Sequence, residues 1–188
     1  MEMQQYTVPA MEHSMLVVID VQDRLCRAMP SACAERLTMM AKAVRIAGIL
    51  KIETVVTEQY PQGLGTTVPE LRDALEPGMP VFEKTAFSCW GCGAFAAAVD
   101  AHRPQALVLL GMETHVCVQQ TALAALARGY GVFLLADAVC SRRDADRDTA
   151  LALLRDQGAI VTTVEALAFA WLQTAAHPKF REVSRVVK

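Results

Sequence analysis

Short, continuous apolar runs alternate along this chain with longer stretches in which apolar residues recur at helical spacing. Met15-Leu16-Val17-Val18-Ile19 and Ala106-Leu107-Val108-Leu109-Leu110 contain no polar residue, the pattern of strands buried on both faces of a parallel sheet. Strands are predicted near 15–20, 53–57, 80–84, 106–111, 131–136 and 159–163. Helices are predicted near 32–51, 70–75, 92–102, 114–128 and 144–157, with a terminal one near 164–175. In the first of these, Leu37, Met40, Ala41, Val44, Ala47 and Ile49-Leu50 form one apolar stripe. Strict β-α alternation implies an α/β fold, a three-layer α/β/α sandwich around a central six-stranded, mainly parallel sheet with right-handed crossovers. Residues 1–188 show no internal repeat or linker, so a single domain is expected. The longest candidate loop, rich in Gly, Pro and Thr over 60–69, leaves the second strand and could wall a pocket.

Three strand ends carry the chemistry. The first apolar run ends on Asp20, Pro80-Val81-Phe82-Glu83 ends on Lys84, and the fourth strand runs into Gly111-Met112-Glu113-Thr114-His115-Val116-Cys117. Ligands of open α/β sheets bind outside the carboxyl ends of the strands. With Thr114 as N-cap, Cys117 falls in the first turn of a helix, where unpaired N–H groups and the macrodipole favour a thiolate. A buried structural cysteine is the bland alternative for Cys117, as a turn residue or solvated charge is for Asp20 or Lys84. A proton acceptor, an ammonium and a thiol leaving three strands on one edge make a more coherent set: Asp20 as base, Lys84 as electrostatic partner, Cys117 as nucleophile.

These residues also carry a resemblance. Asp20-Val21-Gln22-Asp23, Lys84-Thr85-Ala86-Phe87-Ser88 and Gly111-Met112-Glu113-Thr114-His115-Val116-Cys117-Val118 are similar to the three signature blocks of isochorismatase-like cysteine hydrolases. Arg128-Gly129-Tyr130 and Asp137-Ala138-Val139-Cys140-Ser141-Arg142 match the usual continuation, so the resemblance spans roughly residues 14 to 172. Thr57-Glu58-Gln59-Tyr60-Pro61-Gln62-Gly63-Leu64-Gly65 and His177-Pro178-Lys179-Phe180 resemble the branch called isochorismatase domain-containing proteins. The resemblance implies an isochorismatase-like, Rossmann-like fold and a Cys-Asp-Lys triad of Cys117, Asp20 and Lys84 acting on a small amide, carbamoyl or imide-like substrate. It further implies a cis peptide between Met112 and Glu113 and an oxyanion hole from the backbone N–H groups of Glu113 and Cys117, with no metal or organic cofactor. Gln22, Tyr60, Phe87, Trp90 and His115 are the pocket candidates. Metal-dependent nicotinamidases of this superfamily carry an Asp-x-His and a distant His after the second strand. Here that region reads Glu58-Gln59-Tyr60-Pro61, and no histidine stands between His13 and His102.

Composition narrows the partners. A net charge of −2 without a basic cluster lacks the electrostatic footprint of nucleic-acid binding. No apolar stretch reaches the ~18 residues of a membrane span. Met1-Glu2-Met3-Gln4-Gln5 has neither the basic start nor the apolar core of a signal peptide. Six cysteines in that context predict free thiols and a cytoplasmic, reducing compartment. A hydrophobic fraction of 53%, with Trp90 and Trp171 outside the predicted strands, predicts a homo-oligomer, a dimer or higher.

Other features carry less. Cys89-Trp90-Gly91-Cys92 has C-x-x-C spacing without thioredoxin-like flanks, so a pocket-lining or interface role fits it better. No second Cys/His pair stands at zinc-finger spacing. Asp137 reads as a turn or helix-capping carboxylate rather than a reactant. Two readings compete with the hydrolase: a non-catalytic, oligomeric small-molecule-binding pseudoenzyme, and a thiol redox protein pairing Cys117 with Cys89 or Cys92.

Overall fold

The computed structural model describes residues 10–30 and 33–188. The N-terminal segment read above for a targeting signal, and residue 32 at the expected start of the first long helix, lie outside the described residues.

Period-two alternation within the strands divides the core into two layers. In β1 (Ser14–Ile19) Leu16 and Val18 face one side, while Met15, Val17 and Ile19 face the other. β4 (Ala106–Met112) repeats this, with Val108, Leu110 and Met112 opposite Leu107 and Leu109. Both strands are buried along their whole length, as the unbroken apolar runs require. β2 (Glu53–Gln59), β3 (Val81–Lys84), β5 (Gly131–Cys140) and β6 (Ile160–Thr162) complete a six-stranded sheet in the order β3-β2-β1-β4-β5-β6. Every pairing is parallel, so the sheet is more uniform than the sequence reading expected.

Five short or medium helices lie in the first half of the chain: α1 (Asp23–Ala28), α2 (Cys33–Leu50), α3 (Pro61–Leu64), α4 (Pro69–Arg72) and α5 (Gly93–His102). The second half adds α6 (Gln119–Ala127), α7 (Asp144–Asp156), α8 (Val164–Leu172) and α9 (Phe180–Val187). Met40, Val44, Ile46 and Ala47 of α2 pack with Leu167, Ala168 and Trp171 of α8 and Val183 of α9 on one face of the sheet. Phe95 and Val99 of α5, Ala122 and Ala125 of α6, and Leu151 and Leu154 of α7 cover the other.

The elements predicted from the sequence are present, with three corrections. The terminal helix is shorter than expected, ending at Leu172 with Gln173 at a positive φ of 59°. A further helix, α9, follows it and packs on α2, where the Lys42 ammonium donates to the Val187 carbonyl at 2.7 Å. The 60–69 stretch is not a bare loop but holds α3, with Pro61 at its first position, as well as an isolated bridge between Gln22 and Thr67.

The strand order reverses direction between β1 and β4, which creates the switch-point crevice. Gly111 makes this junction possible. It adopts φ 125°, and a Cβ there would stand 2.0 Å from the Ile19 carbonyl oxygen. The register between β4 and β5 also shifts between Leu109 and Gly111, so the chain leaves the sheet irregularly just before the Cys117 segment.

Candidate active site

Asp20, Lys84 and Cys117 converge at the carboxyl edge of the sheet. Asp20 follows β1 with a left-handed φ of 53°, and its own N–H bonds the Thr57 carbonyl of β2 at 3.1 Å. Its carboxylate is clamped from two strands. Thr57 donates its hydroxyl to Oδ1 at 2.8 Å, and Lys84 donates from Nζ to Oδ2 at 2.6 Å. The Asp20 and Lys84 side chains are both wholly shut off from solvent. Two charges removed from water are costly unless their remaining donors and acceptors are filled. The Lys84 ammonium meets that condition through Gln59 Oε1 at 2.8 Å and the carbonyls of Ala86 and Phe87 at 3.3 and 3.2 Å. Gln59 in turn donates its amide to the Thr85 carbonyl at 2.8 Å, which fixes its oxygen toward the lysine. Burial by itself would lower the Lys84 pKa, but Asp20, followed by Cys117 and Cys89, holds it above the ordinary lysine value.

Cys117 lies in a single π-helical turn, Thr114–Val118, that precedes α6. Two expectations are corrected here. Glu113, not Thr114, is the N-cap residue, while Thr114 is fully buried and its hydroxyl has no hydrogen-bond partner among the described residues. Nor does the turn favour a resting thiolate. Burial and then the Asp20 charge push the Cys117 thiol up to about 12, and the opposing pull of Lys84 does not compensate. Cys117 is only 6% exposed, and desolvation outweighs a helix-terminus effect of about 1 kcal/mol.

The Met112–Glu113 peptide is cis. The Glu113 carbonyl accepts from Val116 N–H at 3.0 Å and Val118 N–H at 3.2 Å, and the Cys117 N–H between them does not bond this carbonyl. The Glu113 side chain points to the loop after β5. Its Oε2 accepts from Arg142 Nε at 3.0 Å and from the Arg142 backbone N–H at 3.2 Å. His115 makes a second tie, with Nδ1 at 3.0 Å from the buried Ser141 hydroxyl. A cavity of about 220 Å³, lined by His115, Arg142, Arg143 and Asp146, adjoins the turn.

The pocket candidates separate into distinct roles. Gln22 is fully buried and spends its amide on the Gln59 and Gly65 carbonyls and its oxygen on the Gln59 N–H. It therefore ties the α3 loop to β2 instead of presenting a free polar group. Tyr60 and Phe87 stand more than half exposed. Trp90 stacks on Tyr130 at 5.5 Å, meets Phe95 edge-on and lies under the Arg128 guanidinium. Cys89 is buried, with its thiol 3.7 Å from the Thr57 hydroxyl, whereas Cys92 is half-buried at the head of α5. Asp137 accepts from the Val164 N–H with both oxygens at 3.0 and 3.2 Å, which makes it the helix-capping carboxylate expected.

Thr57, Gln59, Ser141 and Arg142 complete the polar network, and sequence reasoning did not single them out. Thr57 and Gln59 had a usable signal: they occupy alternate positions of a buried strand next to Asp20. Among the described residues, no three His, Cys, Asp or Glu side chains gather as a metal site would require. No helix among them is long and apolar enough to cross a membrane.

An all-parallel sheet with this strand order and three signature residues at its carboxyl edge defines an isochorismatase-like α/β fold. Residues 14–166 match the isochorismatase domain, and the chain belongs to that family. Isochorismatase domain-containing protein 2 of Bos taurus is 41% identical over 177 residues, covering 93% of this chain and 83% of that protein. The structure of the MAR1 ribonuclease from Caenorhabditis elegans superposes with a TM-score of 0.91 at 37% identity, covering 96% of this chain and 92% of that one. The YcaC gene product of Escherichia coli, described as an octameric hydrolase of unknown specificity, shares the fold with a TM-score of 0.86 at 21% identity, over 98% of each chain.

Proposed function

We propose that this protein is a cysteine hydrolase of small amide, carbamoyl or imide-like substrates, with Cys117 as nucleophile, Asp20 as proton carrier and Lys84 as the charge paired with Asp20. The observation that carries this reading is the solvent-excluded Asp20–Lys84 pair beside the Cys117 thiol. A buried ion pair contributes little net stability compared with apolar packing, so its presence at the ligand-binding edge favours a chemical role.

The raised thiol pKa shapes the mechanism. Cys117 rests protonated, and Asp20 removes the proton as the sulfur adds to the substrate carbonyl. Lys84, held by four acceptors, stays in place during this transfer. The N–H groups of Glu113 and Cys117 receive the developing oxyanion, a role worth about 3–4 kcal/mol for a well-placed donor. Asp20 then gives the proton to the leaving amine and activates water to release the acid. These steps need no group beyond the chain's own residues. The decisive experiment pairs a screen of small amides for ammonia release with acid-quenched mass spectrometry. An acyl adduct on Cys117 is expected, and Cys117→Ala should abolish both adduct and turnover. Full turnover by Cys117→Ala would remove covalent catalysis in favour of direct water attack with Asp20 as base.

The name of the nematode relative raises RNA cleavage as a second reading. A net charge of −2 opposes it, because phosphate neutralisation dominates nucleic-acid affinity. A labelled RNA incubated with the protein and with Cys117→Ala tests it directly.

We further infer a homo-oligomer. Tyr60, Val81 and Phe87 stand exposed near the β3 edge of the sheet, and the YcaC relative is described as octameric. Light scattering should give a multiple of the 20.4 kDa chain mass; a single-chain mass at micromolar concentration would refute it.

A further inference from the structure

Helix α5 turns an apolar face to solvent. From Gly93 to Val99 it carries no polar side chain, and its first one is Asp100. At about 100° per residue, Phe95 and Val99 share one side, and both are fully buried against the sheet. Gly93, Ala97 and Ala101 run along the opposite side, flanked by Ala94 and Asp100, and all five are exposed. The outer face of a surface helix ordinarily carries charged and polar residues, whereas a helix apolar all round is covered on every side. Phe82 of β3 meets Phe95 edge-on with ring centroids 6.2 Å apart. The helix therefore lies beside the β3 edge, where Val81 and Phe87 also stand exposed.

The charges on this face are complementary end to end. The N-cap, Cys92, makes no side-chain hydrogen bond to the first turn, so the leading N–H groups lie unspent at the positive end of the helix. Asp100, toward the other end, forms no ion pair among the described residues. We propose that the outer face of α5 docks on the same face of a second copy of this chain, antiparallel about a two-fold axis at Ala97. The proposal rests on the homo-oligomer inferred above and states where its subunits meet. In a two-fold contact the same patch serves both partners, and each pairing occurs twice. With the axis at Ala97, Ala97 meets its own counterpart, Ala101 meets Ala94, and Asp100 meets Gly93 at the uncapped end. Each helix thus sets a carboxylate on the free N–H groups of the other. A parallel pair would instead bring the two Asp100 side chains to one level and leave both helix ends open.

Alanine and glycine side chains suit this contact, because they let two helix axes approach to about 8 Å. One helix face offers less than the ~800 Å² per partner of a stable interface, and the exposed Val81 and Phe87 beside it add to the apolar area. The face also borders the proposed chemistry. The segment between β3 and α5 gives the Ala86 and Phe87 carbonyls to Lys84 Nζ, so a second copy on α5 braces the segment that holds the ammonium.

The test uses the full chain at micromolar concentration, with mass read by light scattering and folding by circular dichroism. Ala97→Arg puts a guanidinium on the axis. The position is exposed and arginine is a good helix former, so the subunit itself should fold as before. The particle mass is expected to fall to half that of the wild type or less. Asp100→Lys sets an ammonium against the positive helix end and should weaken assembly about tenfold. Ala97→Cys, mildly oxidised and mapped without reduction, should give a disulfide joining position 97 of two copies, which only an axis near that residue allows. Should Ala97→Arg not fold, that link and Asp100→Lys decide. An Ala97→Arg variant of wild-type mass, with no link through position 97, overturns the proposal. The oligomer then stands on another face, and α5 is left to a different partner. A wild type of single-chain mass overturns the docking and the oligomer together.

Discussion

Lys84 Nζ lies 2.6 Å from Asp20 Oδ2 with neither side chain reached by solvent, so each charge depends on the other for its place in the core. Removing one leaves the other buried and unpaired, which costs about 3–5 kcal/mol. Lys84→Met is expected to lower stability by that order, measured by urea denaturation, and to abolish turnover. The double variant Asp20→Asn, Lys84→Met should recover much of the stability, because no uncompensated charge remains, while activity stays absent. A double variant as unstable as Lys84→Met alone would show that the loss comes from packing rather than charge.

The position of Cys117 beside Asp20 fixes the sign of a second effect. The Asp20 charge raises the thiol pKa, and Lys84 opposes it. Replacing Asp20 by Asn removes the raising charge and leaves Lys84, so the thiol pKa should fall below about 12. Asp20→Asn should therefore alkylate at Cys117 faster than the wild type at pH 8, even as hydrolysis is lost for want of a proton carrier. Wild-type Cys117 should label slowly until the pH is strongly alkaline. Because the folded pKa is raised from 9.0 to about 12, the protonated thiol stabilises the fold below pH 9 and that contribution is lost as pH rises toward 12. Iodoacetamide labelling across pH, read by peptide mapping, checks both.

Much of this site could be read in the sequence, and the residues that escaped share a cause. Asp20, Lys84 and Cys117 announced themselves because each ends an apolar run or follows one directly, and a parallel sheet collects such ends on one edge. The ionisation of Cys117 did not follow, since desolvation depends on what covers the sulfur and not on its place in a helix. Gln22 was among the pocket candidates, yet its side chain meets backbone groups of Gln59 and Gly65 that only the folded chain brings near. Ser141 and Arg142 reach the Cys117 turn because β5 runs on to Cys140 through an irregular register with β4. The sequence pattern ended that strand near residue 136, so neither residue was placed beside Glu113. α9 was missed because its short amphipathic run packs on α2 and α8, surfaces that only the fold brings together.

Gly111 gives a sharp test of how β4 passes β1. A methyl group there would meet the Ile19 carbonyl oxygen at 2.0 Å and its carbon at 2.8 Å, both backbone atoms of the central strand, and φ is 125°. Neither contact can be relieved by a side-chain rotation, and non-glycine residues avoid that backbone region. Gly111→Ala should destabilise the protein on the order of 3 kcal/mol or more, or prevent folding. Gly78→Ala is the control: it too has a positive φ, 84°, but nothing within 4 Å of the added carbon. Thermal melts in which the two variants behave alike would show that conformation, not the close approach to Ile19, decides the outcome.

Arg142 separates positioning from folding. Its side chain is 61% exposed and donates to Glu113 Oε2 at 3.0 Å, while the Glu113 side chain is only 10% exposed. An exposed arginine contributes at most about 1 kcal/mol through such a pair. In Arg142→Ala the backbone N–H still donates to the same oxygen at 3.2 Å, so the fold should lose little. What weakens is the hold on Glu113, whose N–H is proposed to meet the oxyanion. The expected result is a kcat lower by roughly ten- to a hundredfold with KM nearly unchanged, since misplacement of a transition-state donor acts on the chemical step. Arg142→Lys should restore only part of the loss, because a lysine cannot reproduce the planar donor geometry at Oε2. A KM that rises while kcat holds would place Arg142 in substrate binding instead, through the cavity it shares with His115 and Arg143.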